Sequence, residues 1–124
     1  MSDREASGGA AKANINQALD QLWVRFLPEI EERVKILVAA AASLDQGKLN
    51  AAEREAAHAA AHKLAGVLGT FGLVRGTDLA RELEIAFESG GAIDHETAAR
   101  LGGTVTELRA LIEGRKGASS PERG

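Results

Sequence analysis

The sequence predicts an all-α protein, an up-and-down antiparallel four-helix bundle with a short additional N-terminal helix or a kinked first helix. Three observations carry this. Apolar residues recur at three- and four-residue spacing along most of the chain. No segment alternates apolar and polar residues as a half-buried strand would. The apolar share, 44% of 124 residues, is mostly alanine and leucine with only 3% aromatics, which favours helix over sheet. A chain of this length suits one domain around one core.

Residues 1–11, with Ser, Gly and Ala and no periodicity, read as a flexible tail. Residues 114–124 read the same way, which leaves 12–113 for the bundle. Such ends suit a stand-alone protein and a piece of a larger one alike. From about Asn14 to Leu44, Ile15, Leu19, Leu22, Phe26, Ile30, Val34, Leu37, Val38 and Ala41 keep helical spacing. Pro28 interrupts them; proline lacks the amide donor and crowds the carbonyl four residues back, so a break or kink is expected there. Asp45-Gln46-Gly47 ends this segment.

The second helix is expected from about Asn50 to Phe71. Asn50 is its N-cap, with Glu53 placed three residues later as a capping box requires. Its stripe is Ala57, Ala61, Leu64, Ala65, Leu68 and Phe71, and Gly72 is its stop. The third runs from about Gly76 to Phe87 and buries Leu79, Ala80, Leu83, Ala86 and Phe87; Ser89-Gly90-Gly91 closes it. The last starts after Asp94, a good N-cap, and buries Leu101, Val105, Leu108 and Ile112. Gly102 and Gly103 predict fraying or close packing at its middle. Trp23 and Phe26 are expected to pack the end of the bundle, and Arg81, Glu82, Glu84 and Glu88 to form a solvated helix face.

Composition excludes several classes. Without cysteine there is no disulfide, thiolate nucleophile or Cys-type zinc site. The net charge is −3, from fifteen basic and eighteen acidic residues scattered without a basic block, and tyrosine is absent. That argues against nucleic-acid binding. No signal-peptide core and no apolar run near 20 residues is present, so neither membrane insertion nor export is expected and the natural location is the cytoplasm.

The segment Ala61-His62-Lys63-Leu64-Ala65-Gly66-Val67-Leu68-Gly69-Thr70-Phe71-Gly72-Leu73 is the most informative. Each glycine inside a helix costs roughly 0.8–1.0 kcal/mol relative to alanine, so Gly66 and Gly69 ask for a reason. At about 100° per residue, His62 falls on the exposed flank, away from the Ala57–Ala61–Leu64–Leu68 stripe. Gly69 lies almost beneath His62, and Gly66 one turn on and further towards solvent. The glycines thus clear side chains from one side of the imidazole, leaving an opening for another protein. His58 lies on the same flank, one turn earlier and nearer the core. A neutral imidazole, with its ordinary pKa of about 6.5, is a good nucleophile and can carry a phosphoryl group. The chain has no Gly-rich phosphate loop and no ATP-site motif, so it is expected to have no kinase activity of its own.

The order His-x-Leu-x-Gly-x-x-Gly-x-Phe-Gly over Ala61–Leu73, continued by Leu79 and Leu83-Glu84, resembles the phosphorylated helix of histidine-containing phosphotransfer (HPt) domains. The resemblance implies a phosphorelay intermediate of two-component signalling. By this resemblance His62 takes the position of the phospho-accepting histidine and is expected to exchange the group with the aspartate of a receiver domain. Gly66 takes the position of the glycine beside it, and Gly69 and Gly72 match further small positions. Gly66, Gly69, Lys63 and His58 are the residues expected to serve phosphoryl access and receiver docking. No cofactor is expected on this chain; Mg²⁺ is expected on the receiver of a response regulator or hybrid kinase, and the chain itself is expected to be a monomer. Many members carry Lys three residues after the histidine, where this chain has Ala65; Lys63, Arg75 and Arg81 are the candidates for that charge.

Two other readings compete. The bundle could be an interaction module of the same fold without phosphotransfer. Alternatively, His58 and His62, at i and i+4, could bind a metal with His95 or a distant carboxylate, although Ala59 after His58 rules out the His-Glu-x-x-His pattern.

Overall fold

The computed structural model describes the backbone of residues 2–88 and 91–118, with side chains from residue 14 to 116 within those spans. Four α-helices follow one another: α1 (Ser2–Asp45), α2 (Ala51–Thr70), α3 (Val74–Glu88) and α4 (His95–Ala118). Each packs on the next, and α4 closes on α1. The pairs Ser43–Glu53 and Phe26–Phe71 set α1 antiparallel to α2. His62–Glu84 and Gly69–Thr77 do the same for α2 and α3, and Arg75–Glu107 and Arg100–Glu82 for α3 and α4. This is the predicted up-and-down bundle.

The helix ends follow their sequence signals. Asn50 accepts from the Glu53 amide at 2.7 Å while Glu53 accepts from the Asn50 amide at 3.1 Å, a complete capping box. Gly72, at φ +71°, ends α2, and the Leu73 amide reaches back to the Leu68 carbonyl at 3.0 Å. Gly47, at φ +69°, ends α1 in the same manner, with Lys48 donating to Ser43 at 2.8 Å. Asp94 caps α4 by accepting from the Thr97 amide at 2.7 Å. At the end of α3 the guanidinium of Arg54 donates to the carbonyl of Phe87 at 3.1 Å, one of the last-turn carbonyls with no amide donor within the helix, and to that of Gly91 beyond it at 2.8 Å.

Three expectations need correction. Of the two forms expected at Pro28, the break with a separate first helix does not occur; the structure has the single first helix, with Pro28 inside an uninterrupted α1. The bond that proline forfeits would run to the Val24 carbonyl, and both residues are on the exposed face, where water can take that carbonyl. Helix also covers residues 2–11 and 114–118, assigned by composition to tails. Alanines at 6, 10, 11 and 13 propagate a helix already nucleated by the bundle more readily than Gly8 and Gly9 stop it; residues 119–124 lie outside the described ones. Finally, α4 is unbroken at Gly102 and Gly103, and a Cβ at either would meet nothing within 4 Å, so they neither fray the helix nor admit a close neighbour.

The core is built from Trp23, Ile30, Leu37, Leu64, Leu68, Leu79, Leu83, Leu101 and Leu108, all fully buried, with small alanines of α2 between them. On α1 the inward stripe in the first half is Trp23–Leu27–Ile30, not Leu22–Phe26 as expected; Ile15 is 61% exposed and Leu22 37%. Trp23 meets Phe71 edge-on, with ring centroids 5.2 Å apart, and closes the bundle end as expected. Gly76 allows α3 its close approach to α2: a Cβ there would lie 3.2 Å from Leu68 Cδ1.

Candidate functional site

The alanines and leucines that bury one side of α2 oblige its other side to face solvent, and His62 stands there with its side chain 69% exposed. Its Nδ1 lies 2.7 Å from Oε2 of Glu84 on α3. A carboxylate only accepts, so Nδ1 is the protonated nitrogen of the neutral ring and Nε2 keeps its lone pair. Glu84 is therefore not part of a solvated face as the sequence suggested. It is 20% exposed and lies across the α2–α3 seam, where the antiparallel register brings it opposite His62. Sequence periodicity places Glu84 on α3 but says nothing of which α2 residue it meets, and the pairing needs the register.

Beside His62, on the side away from Glu84, an open groove of about 510 Å³ runs between α2 and α1. His62, Lys63, Gly66, Val67 and Thr70 line it from α2, and Glu29 and Arg33 from α1. A Cβ at Gly66 would meet nothing within 4 Å, so this glycine is not a packing requirement. It leaves the floor of the groove bare next to the imidazole.

The other predicted residues are spread over neighbouring surfaces. Gly69 lies in a smaller depression of about 160 Å³ with Gly72, Val74, Thr77 and Asp78, and a Cβ there would make ordinary contact with Thr77 Oγ1 at 3.8 Å. His58 is half-buried in a depression with Arg54, Glu55, Phe87 and Glu88. Arg75 is turned to α4, where Glu107 takes its Nε at 2.8 Å and a second nitrogen at 3.0 Å. That bidentate bond raises the Arg75 pKa and holds the Glu107 carboxyl below its ordinary value. Arg81 is exposed on α3, on a level with Ala65 by the register of the seam. Ala65 is itself only 3% exposed, so position 65 belongs to the α2–α3 packing rather than to the groove. Arg33 was not singled out by sequence, because it belongs to another helix and its nearness to His62 depends on how α1 pairs with α2.

Among the described residues no three His, Asp or Glu side chains gather as a metal site would require. No helix among them is long and apolar enough to cross a membrane.

An exposed imidazole, oriented through Nδ1 and standing beside a glycine-floored groove, is the arrangement a phosphohistidine carrier needs. The family model of the Hpt domain matches residues 21–116. The chain belongs to the Hpt domain family. Protein RcaC of Microchaete diplosiphon is similar to this Hpt chain, with 36% identity over 66 residues, which are 53% of this chain and 10% of that protein. The chain thus spans about a tenth of the length of the curated relative it matches. No solved structure matches it significantly. Hpt domains are phosphotransfer carriers of two-component signalling, not kinases, and their partners are receiver domains.

Proposed function

We propose that this Hpt domain carries a phosphoryl group on Nε2 of His62 and exchanges it with the aspartyl phosphate of a receiver domain. The observation that supports this most strongly is the bond from His62 Nδ1 to Glu84, made while the ring stays exposed. The Nε2 lone pair attacks phosphorus as the P–O bond of the acyl phosphate breaks, and the aspartate leaves as a carboxylate. Nδ1 keeps its proton, so the product ring is a phosphoimidazolium, and the Glu84 carboxylate faces its positive charge. The return step runs the same exchange backwards.

The divalent cation such a transfer uses is assigned to the receiver. Of the carboxylates near His62 on this chain, Glu84 is engaged by the imidazole at 2.7 Å, and Glu29 is 60% exposed and 3.8 Å from Arg33. Gly66 admits the receiver's phosphorylated aspartate along the groove floor, and Lys63 stands beside the path.

The reading is tested by mixing the protein with phosphorylated receivers from its source organism. Label that is acid-labile and alkali-stable, lost in His62→Gln and kept in His58→Gln, is expected. Label that survives His62→Gln and disappears in His58→Gln would overturn the assignment.

A further inference from the structure

A phosphoryl group on an exposed imidazole brings two negative charges to the α1–α2 groove, and the groove already holds a cation placed to meet them. We propose that Arg33, on α1, contacts the phosphoryl oxygens of phospho-His62, exchanging Glu29 for the phosphoryl group; this rests on His62 being the phosphorylated residue.

Three observations point to Arg33. The first is position. Ser43–Glu53 and Phe26–Phe71 fix a register between α1 and α2 that sets Arg33 opposite Lys63, on the level of His62. Arg33, His62 and Gly66 line one groove, and a Cβ at Gly66 would meet nothing within 4 Å, so the groove is open at that point of its floor.

The second is commitment. Other arginines of the bundle spend their donors at short range: Arg54 on the carbonyls of Gly91 and Phe87 at 2.8 and 3.1 Å, Arg75 on Glu107 at 2.8 Å, and Arg100 on Glu82 at 3.3 Å. The ion pair of Arg33 with Glu29 is 3.8 Å long, beyond hydrogen-bonding distance, and Glu29 is 60% exposed. Such an exposed i,i+4 pair is weak and yields easily to a dianion.

The third is preorganisation. The Arg33 side chain is only 20% exposed, so it is already held against the bundle, and its planar fork matches phosphate oxygens two at a time. Lys63 lines the same groove but is an exposed point charge on a flexible stem.

The test uses the purified full chain and phosphoramidate, which transfers its phosphoryl group to histidine nitrogen with release of ammonia and needs no partner protein. Phosphorus-31 NMR follows the signal lost in His62→Gln, and its chemical shift is titrated with pH. A cation at the phosphoryl oxygens lowers the midpoint of that titration. In Arg33→Gln the midpoint is expected to rise by about half a pH unit, the size of a screened ion pair. Arg33→Lys should restore part of the shift, and Glu29→Gln should move the midpoint the other way. Circular dichroism checks that each variant keeps the helical fold. A phospho-His62 signal whose midpoint is the same in Arg33→Gln as in the natural protein would overturn the role of Arg33. So would a larger shift from Lys63→Gln than from Arg33→Gln. If the natural protein gave no signal that His62→Gln removes, His62 phosphorylation itself would fall, and the role of Arg33 with it.

Discussion

His62 Nδ1 and Glu84 Oε2 are 2.7 Å apart across the α2–α3 seam, and a proton shared between them leaves the lone pair of the neutral ring on Nε2. Glu84→Ala removes both the orienting acceptor and the charge facing a phosphoimidazolium. Because His62 is largely exposed, the loss is modest: phosphoryl uptake should slow about fivefold, close to 1 kcal/mol of a screened charge-assisted bond. Glu84→Gln keeps an acceptor for the Nδ1 proton and should lose less. Nitrogen-15 shifts of the His62 ring report the tautomer independently of rate. An unchanged tautomer and an unchanged rate in Glu84→Ala would show that the bond does nothing.

Acid should weaken the cap of α4 in a defined direction. The side chain and amide of Thr97 both bond Asp94 and hold its carboxyl below the ordinary carboxylate range. A group whose pKa is lower folded than unfolded stabilises the fold above its unfolded pKa, about 3.9 for Asp, and loses that contribution as pH falls through the folded value. The stability gap between the natural protein and Asp94→Ala should therefore be full near neutral pH and shrink below the unfolded pKa. Urea unfolding at several pH values measures it. The Glu107–Arg75 pair is present in both proteins and cancels from the difference. A gap that stays constant or widens on acidification would contradict the assignment.

How far the sequence could be read depends on whether a feature is local. The Asn50–Glu53 box, the Gly72 stop and the Asp94 cap each lie within a few residues of chain, and all three occur as expected. The stripes of α2, α3 and α4 were legible for the same reason. On α1 the apolar residues are dense enough to support two stripes, and the choice of Trp23 over Leu22 is made by Phe71, 48 residues away in the chain. At the candidate site, His62 and Gly66 share one helix, so periodicity puts both on its exposed side and the motif they form can be read from the sequence. Glu84 and Arg33 could not, since each meets the site through the register of a different helix pair.

Two glycines of similar appearance in sequence should behave oppositely. Gly76 is buried where α3 leans on α2, and a Cβ would press on Leu68 Cδ1 at 3.2 Å, with Leu108 Cδ1 behind it at 3.8 Å. Gly76→Val adds three carbons to this filled space and should cost about 2 kcal/mol by overpacking. Gly66→Ala, in open space on a helix, should stabilise the protein by up to about 1 kcal/mol. Thermal and urea unfolding of the two variants checks both signs. A destabilised Gly66→Ala would mean that Gly66 serves the fold rather than access to the groove.

Gly66 gives the sharpest separation of folding from transfer. Gly66→Glu places a carboxylate on the groove floor beside His62, at a position where its Cβ meets no neighbouring atom within 4 Å. Helix content and melting temperature should hold or rise, since glycine is among the poorest helix formers. Phosphotransfer should fall steeply, because the new side chain fills the approach and its charge opposes the incoming phosphoryl group. Raising the salt concentration should recover part of that loss, the part due to repulsion, while the steric part stays. Single-turnover transfer from a phosphorylated receiver, at low and high salt, resolves the two contributions. A folded Gly66→Glu protein that transfers at the original rate would show that the groove beside His62 is not the path the phosphoryl group takes.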